Sequence, residues 1–479
     1  MAKLAIAAEP PHRETPLAER PIDADILISG ATIITLNADR HVLRDGAVAI
    51  KADRIVAIGK REELARTVAA KQTHDARGFV MTPGFIDGHI HITGDPLTRG
   101  FTRGAPGEPP SEIMSRWVIP IFRTHSPSDE AISAQCAALS MMRHGTTCFL
   151  EAGTITHLDA VMEGLSTTGI RGRTGEWVEG RAYSPEEDQA KKSAAAIKVL
   201  EAEVARYPDR GAKLAAWPVL VGHSTNSDDV WKAAKALADQ HNIRVSAHMS
   251  PRVSDPEWFL AKYNRRPLEH LNDIGVLGGN VCITHLANID RSELDILVEN
   301  GTNAILCVHA ALQGGFGISR HGLFPEMLAR GVNLMMGTDG LAADILGAAR
   351  LMAHLFRDAR CDQTIFPATT ILELATLHGA RAMGMTDSIG SLEVGKKADL
   401  VLHDTDLPEW GPIFDPVSQL ALSAPLGAVH SVWIDGVRVI EDGHATMIDE
   451  EKLLADARQA GAELIARTKL PVQTPWPIL

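Results

Sequence analysis

Cysteine is scarce in this chain of 479 residues, which contains only Cys136, Cys148, Cys282, Cys307 and Cys361. The set is odd in number and scattered, with no CxxC pair. It therefore argues against a disulfide framework and for a reducing compartment. No run reaches the roughly 18 apolar residues of a membrane span. The first twenty residues also lack the hydrophobic region of a signal peptide. We expect a cytoplasmic protein with a loose N-terminal arm over residues 1–22.

Positive charge is also in the minority, with 47 Lys and Arg against 60 Asp and Glu and a net charge of −13. Such a balance offers no cationic surface for nucleic acid or anionic lipid. A hydrophobic content of 45% is typical of a globular protein. The sequence thus predicts a small molecule, rather than nucleic acid or a membrane, as the partner.

Both ends of the chain show strand patterns. ADILISGATIITL near the start is an alternating, β-branched run, and GAVAIKADRIVAIG is typical of a hairpin with its turn at Ala52 and Asp53. HSVWIDGVRVIEDG near the end contains the hairpin signal Asp435-Gly436. These patterns predict one small β-sandwich domain formed by residues 23–82 together with residues 393–447.

The middle of the chain, residues 83–392, alternates short apolar runs with Ala/Leu/Glu-rich helical stretches. Examples of the runs are GTTCFLEAG, KLAAWPVLVG, IRVSAHMS, VCITHLAN and NLMMGTDG. Strands that alternate with helices indicate parallel βαβ units, and about eight such units favour a (β/α)8 TIM barrel of the α/β class. Residues 448–479 are expected to form an amphipathic helix and a Pro-rich tail.

The segment PGFIDGHIH places two histidines, His89 and His91, at the end of an apolar strand. The period-two geometry of a strand directs both imidazoles to one face. In a barrel that face is the interior, and active sites lie at the carboxyl ends of the strands. Two imidazoles on one strand can chelate a borderline metal ion, although two hydrogen-bonded core histidines would give the same pattern.

Three more residues of metal-ligand type end later strand runs. They are His248 in IRVSAHMS, His285 in VCITHLAN and Asp339 in NLMMGTDG. A carboxylate beside such an apolar run is costly to bury unless it is paired or bound to a metal. Because five such residues end four strand candidates, a shared site is more plausible than five independent structural roles.

Together these motifs resemble the amidohydrolase superfamily, in particular its chlorohydrolase and aminohydrolase (triazine hydrolase-like) branch. The resemblance extends over about residues 24–446 and includes PGFIDGHIH, MRHGTTCF, GTDG and GSLEVGKKADLVL. It implies a metal-dependent hydrolase of C–N bonds, built as a barrel with an accessory β domain. It also implies a homo-oligomer.

The resemblance also implies roles for single residues. His89, His91, His248 and Asp339 match the metal ligands, Asp339 matches the proton shuttle, and His285 matches the residue that contacts the attacking water or the substrate. His223 in VGHST falls where relatives carry a substrate-facing histidine. Between His91 and His248 no lysine is predicted at the carboxyl end of a strand, where two-metal relatives carry a carbamylated one. We therefore expect one divalent ion, zinc first, with iron, cobalt and manganese also compatible with the ligands.

One position departs from the family pattern. Ring-acting relatives carry a glutamate three residues after the third histidine, whereas this chain has Pro251, and Asp255 is expected to lie in a loop. Loss of this acid removes general acid help worth about 10²–10⁴-fold. We therefore expect hydrolysis of a neutral amide, urea or (thio)carbamate, as in phenylurea and molinate hydrolases.

The alternative is an aminohydrolase or chlorohydrolase that acts on a heteroaromatic ring, with Glu151 or Glu176 as the displaced acid. A non-catalytic barrel is the third possibility, and the intact ligand set argues against it. Arg181 and Trp117 are further candidates for substrate contact. Ion-paired, solvated or packing roles are the structural alternatives for all four side chains.

Overall fold

The structure, a computed structural model, describes residues 21–101, 107–340, 343–425, 427–472, 474 and 476. Of the predicted arm, residues 1–22, only the last two residues fall within this range. The strands within the described residues are β1 Ile22–Ile34, β2 Val42–Lys51, β3 Arg54–Lys60, β4 Val68–Asp75, β5 Phe79–Pro83, β6 Phe85–Ile90, β7 Thr146–Glu151, β8 Arg171–Thr174, β9 Leu214–Ala216, β10 Val219–Gly222, β11 Val245–Met249, β12 Val281–His285, β13 Asn303–Leu306, β14 Leu334–Met336, β15 Leu400–Asp404, β16 Val429–Ile434, β17 Val437–Glu441 and β18 His444–Ala445.

Strands from both ends of the chain form one nine-stranded mixed sheet. Its order is β18-β17-β16-β15-β5-β1-β2-β3, and β4 pairs with β1. The two predicted hairpin turns are present. Ala52 follows β2 and Asp435 follows β16, both with the positive φ that tight hairpins require. The sheet leads directly into the rest of the molecule, because β5 ends at Pro83 and β6 begins at Phe85.

The middle strands run parallel in two sheets, β6-β7-β8-β9 and β10-β11-β12-β13-β14. Only Trp217 and Pro218 separate β9 from β10, so the two pieces act as one interrupted strand and the barrel has eight strands. A parallel bridge between Ile90 and Asp339 joins the first strand to the last and closes the ring. The predicted TIM barrel with an added β domain is therefore confirmed.

Helices connect the strands of the barrel, and one long helix follows the last strand of the β domain. Their bounds are α1 Arg61–Thr67, α2 Asp95–Thr98, α3 Pro110–Ile113, α4 Ile119–Arg123, α5 Pro127–Arg143, α6 Leu158–Ser166, α7 Gln189–Arg206, α8 Asp228–His241, α9 Ser254–Tyr263, α10 Pro267–Asp273, α11 Arg291–Asn300, α12 Val308–Gln313, α13 Ile318–His321, α14 Phe324–Ala329, α15 Ile345–Arg360, α16 Ala368–Leu374, α17 Leu377–Ala382, α18 Pro416–Leu422 and α19 Glu450–Thr468, with a π turn at Met114–Val118 and a 3-10 turn at Pro408–Trp410. In the described part of the chain, none of these helices has the length and apolar character that a bilayer span requires.

A buried ion pair joins the β domain to the amino end of the barrel. Arg171, the first residue of β8, donates to Asp399 at 3.2 Å and to Asp435 at 2.5 Å. The Arg171 and Asp399 side chains are only 5% and 2% exposed. The carboxyl ends of the barrel strands, where the predicted site residues lie, form the opposite rim.

Candidate metal centre

The closure of the barrel brings the first and last strands of the candidate site together. The backbone N–H of His91 donates to the carbonyl of Asp339 at 2.7 Å, and that of Asp339 donates to the carbonyl of His89 at 2.8 Å. Asp339 has a φ of +65°, a rare conformation for a residue with a side chain. The two hydrogen bonds hold these three residues together at the carboxyl ends of β6 and β14.

Residues beside the histidines explain part of the PGFIDGHIH pattern. A Cβ at Gly88 would lie 2.9 Å from the backbone carbonyl oxygen of Met336, closer than a Cβ can come without a shift of backbone, so glycine lets β6 approach β14 this closely. Asp87 is fully buried and accepts hydrogen bonds from the Thr338 hydroxyl and from the Thr338 N–H at 3.1 Å. Burial raises the pKa of Asp87 to about 7. The segment therefore links the first barrel strand to the loop that carries Asp339.

The neighbouring strands bring two more imidazoles to the same place. His248 lies near the end of β11 and His285 ends β12. The centroid of the His89 ring lies 4.6 Å from that of His248 and 5.8 Å from that of His285. The His91 and His248 rings are stacked with their centroids 5.6 Å apart. Four histidines from three strands thus converge on one buried point.

Hydrogen bonds to the outer ring nitrogens orient two of these histidines. Nδ1 of His89 lies 3.0 Å from the Thr284 hydroxyl, and Nδ1 of His248 lies 3.0 Å from the carbonyl of Val221. Nε2 of His89 is buried without a hydrogen-bond partner among the described residues. An imidazole held at one nitrogen with the other free is the usual arrangement of a metal ligand.

The ligand atoms fit a divalent metal ion. Those of His89, His91 and His248 lie within 4.8 Å of one another, and so do those of His89, His285 and Asp339. Burial and the neighbouring imidazoles hold the pKa values of His89 and His248 well below the ordinary value, which favours the neutral rings that metals require. Imidazoles with one carboxylate are a ligand set that suits zinc.

His91 and Asp339 form the polar contact inside this cluster, with Nε2 of His91 3.1 Å from Oδ1 of Asp339. Burial lowers the pKa of His91, but the hydrogen bond and charge of Asp339 outweigh it, so the net direction is upward. The pKa of Asp339 is lowered, because His91 outweighs the opposing effect of burial. A metal cation bound here would replace His91 as the positive partner of the Asp339 carboxylate.

The structure places His223 beside the four histidines. Its ring stacks on His248 and His285, with centroids 5.4 Å and 6.5 Å away. Its Nδ1 lies 2.6 Å from Oδ2 of Asp255. The expectation of a loop position for Asp255 is wrong, because this residue lies in the first turn of α9 and is 6% exposed. The sequence alone shows only how many positions separate Asp255 from His248, and neither periodicity nor spacing pairs Asp255 with His223.

The two predicted acids have other partners. Glu151 ends β7, and its buried carboxylate accepts from the N–H of Gly153 at 2.5 Å and from the N–H and hydroxyl of Thr154 at 3.0 and 2.8 Å. Glu176 pairs with Ile155 in an isolated bridge, and its carboxylate accepts from the backbone of Leu158. Among the described residues, no hydrogen bond or ion pair joins either carboxylate to a histidine of the cluster.

The predicted Arg181 and Trp117 lie in aromatic surroundings. The Arg181 guanidinium lies over the rings of Tyr183, at 4.6 Å, and Trp258, at 4.8 Å. Trp117 is buried, and its indole N–H donates to Glu108. No ring contact joins either residue to the histidines within the described residues.

Two phenylalanines that the sequence did not single out lie closer to the histidines. The Phe122 ring centroid is 6.1 Å from that of His91, and the Phe316 ring packs edge-on to His285 at 5.5 Å. Their only sequence signal was that segments 98–122 and 316–322 follow strands of the barrel. They give the candidate site its apolar walls.

Comparison with known proteins agrees with this geometry. The profile of the amidohydrolase family matches residues 80–439. The chain belongs to the amidohydrolase family. As a member of this family, the chain is a metal-dependent hydrolase that acts on C–N bonds, as expected from the sequence. It is 31% identical over 458 residues to the 5-methylthioadenosine/S-adenosylhomocysteine deaminase of Syntrophobacter fumaroxidans, covering 94% of this chain and 99% of that one.

Other amidohydrolase relatives are similar over the same length. The 5'-deoxyadenosine deaminase of Methanosarcina mazei is 28% identical, over 93% of this chain and 99% of its own. A zinc-bound adenosine deaminase from Xanthomonas campestris superposes with a TM-score of 0.83 at 26% identity, covering 93% of this chain and all of that one. The zinc complex of atrazine chlorohydrolase from Arthrobacter aurescens gives 0.82 at 20% identity, covering 91% and 100%, which shows a shared fold. The expected chlorohydrolase and aminohydrolase branch is confirmed.

Proposed function

We propose that this amidohydrolase is a zinc-dependent aminohydrolase that replaces the exocyclic amino group of a purine-type heteroaromatic ring with oxygen. The observation that carries the proposal is the convergence of His89, His91, His248 and Asp339 in a chain that is similar over 94% of its length to a nucleoside-type deaminase. This choice favours the ring-acting alternative over the amide, urea or carbamate substrate that Pro251 suggests. Its support is that three of the relatives named above are deaminases of adenosine or its derivatives.

In this proposal the four residues hold one divalent ion, zinc first. When bound, such an ion lowers the pKa of water and polarises the atom under attack. Asp339 accepts a proton from the attacking water and passes it to the leaving amine. His285, which ends the next strand after His248, orients that water or stabilises the oxyanion. Phe122 and Phe316 exclude bulk water from the cluster.

The role of zinc ligand has a direct test. His248→Ala and Asp339→Asn are expected to lower the zinc content per chain, measured by plasma mass spectrometry after dialysis, and to abolish turnover. His354→Ala is the matched control, because His354 is an exposed histidine on α15. Zinc content equal to wild type in both site variants would refute the ligand assignment.

The reaction is tested by mass spectrometry of the products of zinc-loaded enzyme. The panel contains adenosine, 5'-deoxyadenosine, 5'-methylthioadenosine, S-adenosylhomocysteine, guanine, a chlorotriazine, an N-aryl urea, a thiocarbamate and an anilide. Exchange of an amino group for oxygen on a purine supports the proposal. Ring substrates left intact beside an amine released from a urea, thiocarbamate or anilide would refute it.

That second outcome would establish the other candidate, carbonyl C–N hydrolysis. One observation favours it. Pro251 occupies the position where ring-acting relatives carry a glutamate, and a proline has no proton to give to a ring nitrogen. Amide, urea and carbamate carbonyls need no such protonation.

A further inference from the structure

The His223–Asp255 pair lies in contact with the metal centre. His223 follows β10 with a φ of +50°, and its backbone N–H donates to the carbonyl of His248 at 2.9 Å. The ring stacks on His248 with an interplanar angle of 26° and on His285 with one of 12°. A molecule bound at the metal centre would therefore lie within reach of the His223 ring.

Asp255 determines which nitrogen of His223 carries hydrogen. A single oxygen, Oδ2, lies 2.6 Å from Nδ1 of His223 and accepts from the Ser250 N–H at 2.8 Å. An ionised carboxylate can only accept, so the hydrogen of the neutral imidazole lies on Nδ1. Nε2 then carries a lone pair and is an acceptor.

That second nitrogen is available to a ligand. Among the described residues, the only side-chain hydrogen bond of His223 is the one to Asp255, and its side chain is 25% exposed. Asp255 itself is 9% exposed at its side chain. The pair thus combines the buried carboxylate of Asp255 with the partly exposed imidazole of His223, which stacks on two other histidines.

We propose that Asp255 is a positioning residue that holds His223 as a hydrogen-bond acceptor, and that this selects leaving groups that carry an N–H. The inference rests on the proposed function, in which the leaving group is an amine. In the bound substrate a chloro or dimethylamino substituent has no hydrogen to donate, so it would leave Nε2 of His223 unpaired until a leaving amine has received its proton. A desolvated acceptor without a partner costs free energy in the complex.

The test compares kcat/KM for purine ribosides with amino, methylamino, dimethylamino or chloro groups at carbon 6. The zinc-loaded full chain is used, and all variants are compared in one buffer. The measured quantity is the preference for N–H groups, which is the ratio of kcat/KM for the amino and methylamino ribosides to kcat/KM for the dimethylamino and chloro ribosides. Asp255→Ala is expected to reduce this preference by about 10–100-fold.

Two further variants separate hydrogen-bond direction from charge and from general damage. In Asp255→Asn the amide oxygen can occupy the position of Oδ2 and accept from both His223 and Ser250, so the preference is expected to remain. Asp228→Ala breaks a second His–Asp pair, in which Nε2 of His270 lies 2.9 Å from Oδ1 of Asp228, and it serves as the matched control. An unchanged preference in Asp255→Ala, or equal losses in Asp255→Asn and Asp255→Ala, would refute the inference.

Failure of the proposed function would be visible separately, as wild-type enzyme that converts none of these ribosides. The inference would then be tested by proton NMR and by calorimetric measurement of the affinity for the same unreacted ribosides. A strongly deshielded Nδ1 proton is expected in wild type, Asp255→Asn and Asp228→Ala, but not in Asp255→Ala or His223→Gln. The N–H ribosides are expected to bind more tightly than the others in the same proteins that show this proton signal. If wild type lacked the proton signal or the binding preference, the inference would be contradicted.

Discussion

Thr284 and His89 lie 195 positions apart in the chain, yet the Thr284 hydroxyl is 3.0 Å from Nδ1 of His89. The contact exists because β12 and β6 are strands of the same closed barrel. It orients the His89 ring so that Nε2, the nitrogen without a protein partner among the described residues, faces the other ligands. Such outer contacts are part of a metal site, because they hold the ligand before the ion arrives.

Thr284→Val is therefore expected to weaken zinc binding by about 10–100-fold. The change keeps the shape of the side chain and removes only the hydroxyl. Competition with a chromogenic chelator measures the affinity. Thr168→Val is the control, since Thr168 is equally buried but its hydroxyl bonds to the carbonyl of Leu165. Equal affinities in the two variants would argue against an orienting role for Thr284.

Glu151 and Glu176 are expected to respond differently to replacement by Gln. In Glu151→Gln the amide group faces N–H donors of the turn after β7, which should cost about 1–3 kcal/mol of stability. In Glu176→Gln turnover should stay within about twofold of wild type, as for a substitution outside the site. Chemical denaturation and kcat measure the two effects. A large loss of turnover in Glu176→Gln at unchanged stability would restore this residue as a displaced acid.

Arg171→Met is expected to destabilise the fold by about 3–5 kcal/mol, because it leaves the buried carboxylate of Asp399 without its ion-pair partner among the described residues. The matched control is Arg206→Met. It breaks the exposed pair with Asp159, for which about 0–1 kcal/mol is expected. Urea denaturation compares them, and equal effects would mean that the buried pair contributes no more than a surface pair.

Glu203 on α7 predicts a pH dependence of stability. Burial raises its pKa to about 8 from an ordinary value of 4.5, and Oε2 has no hydrogen-bond partner among the described residues. The folded state therefore keeps a proton that the unfolded state loses. The resulting stabilisation is complete below about pH 4.5 and is lost as the pH rises to about 8.

Glu203→Gln should remove this dependence. Relative to wild type, the variant is expected to gain on the order of a few kcal/mol of unfolding free energy between pH 5 and pH 8. Denaturation at both pH values measures the gain. Glu201→Gln, at an exposed position on the same helix, is the control. Parallel stability curves for wild type and Glu203→Gln would contradict the prediction.

Much of the architecture could be predicted from local patterns. The turns at Ala52 and Asp435, the helix over α19 and the strand runs of the barrel all lie where the sequence placed them. These features depend on contacts between near neighbours, whose spacing is visible in the chain. The interruption of one barrel strand at Pro218 was not predicted, because the unbroken apolar run KLAAWPVLVG hides it.

The candidate metal ligands could be named for a related reason. Alternate residues of a strand share one face, so His89 and His91 lie on the same face, and the strand pattern together with the family resemblance was enough to name them, His248 and Asp339 as candidate ligands. The positions of the other candidate pocket residues could not be predicted without the tertiary structure. Glu151 faces its own turn, Arg181 lies between two rings, and Phe122 and Phe316 replace Trp117 beside the histidines.

By itself, then, the sequence determined the barrel, its accessory sheet and which side chains end its strands, because the spacing of apolar residues in strands and helices is visible over a few residues. The tertiary structure alone decided that Asp255 binds His223 and that Thr284 orients His89. Hydrogen-bond partners such as these come from different strands and loops, and their directions depend on how the closed barrel places those segments. No local pattern encodes that placement.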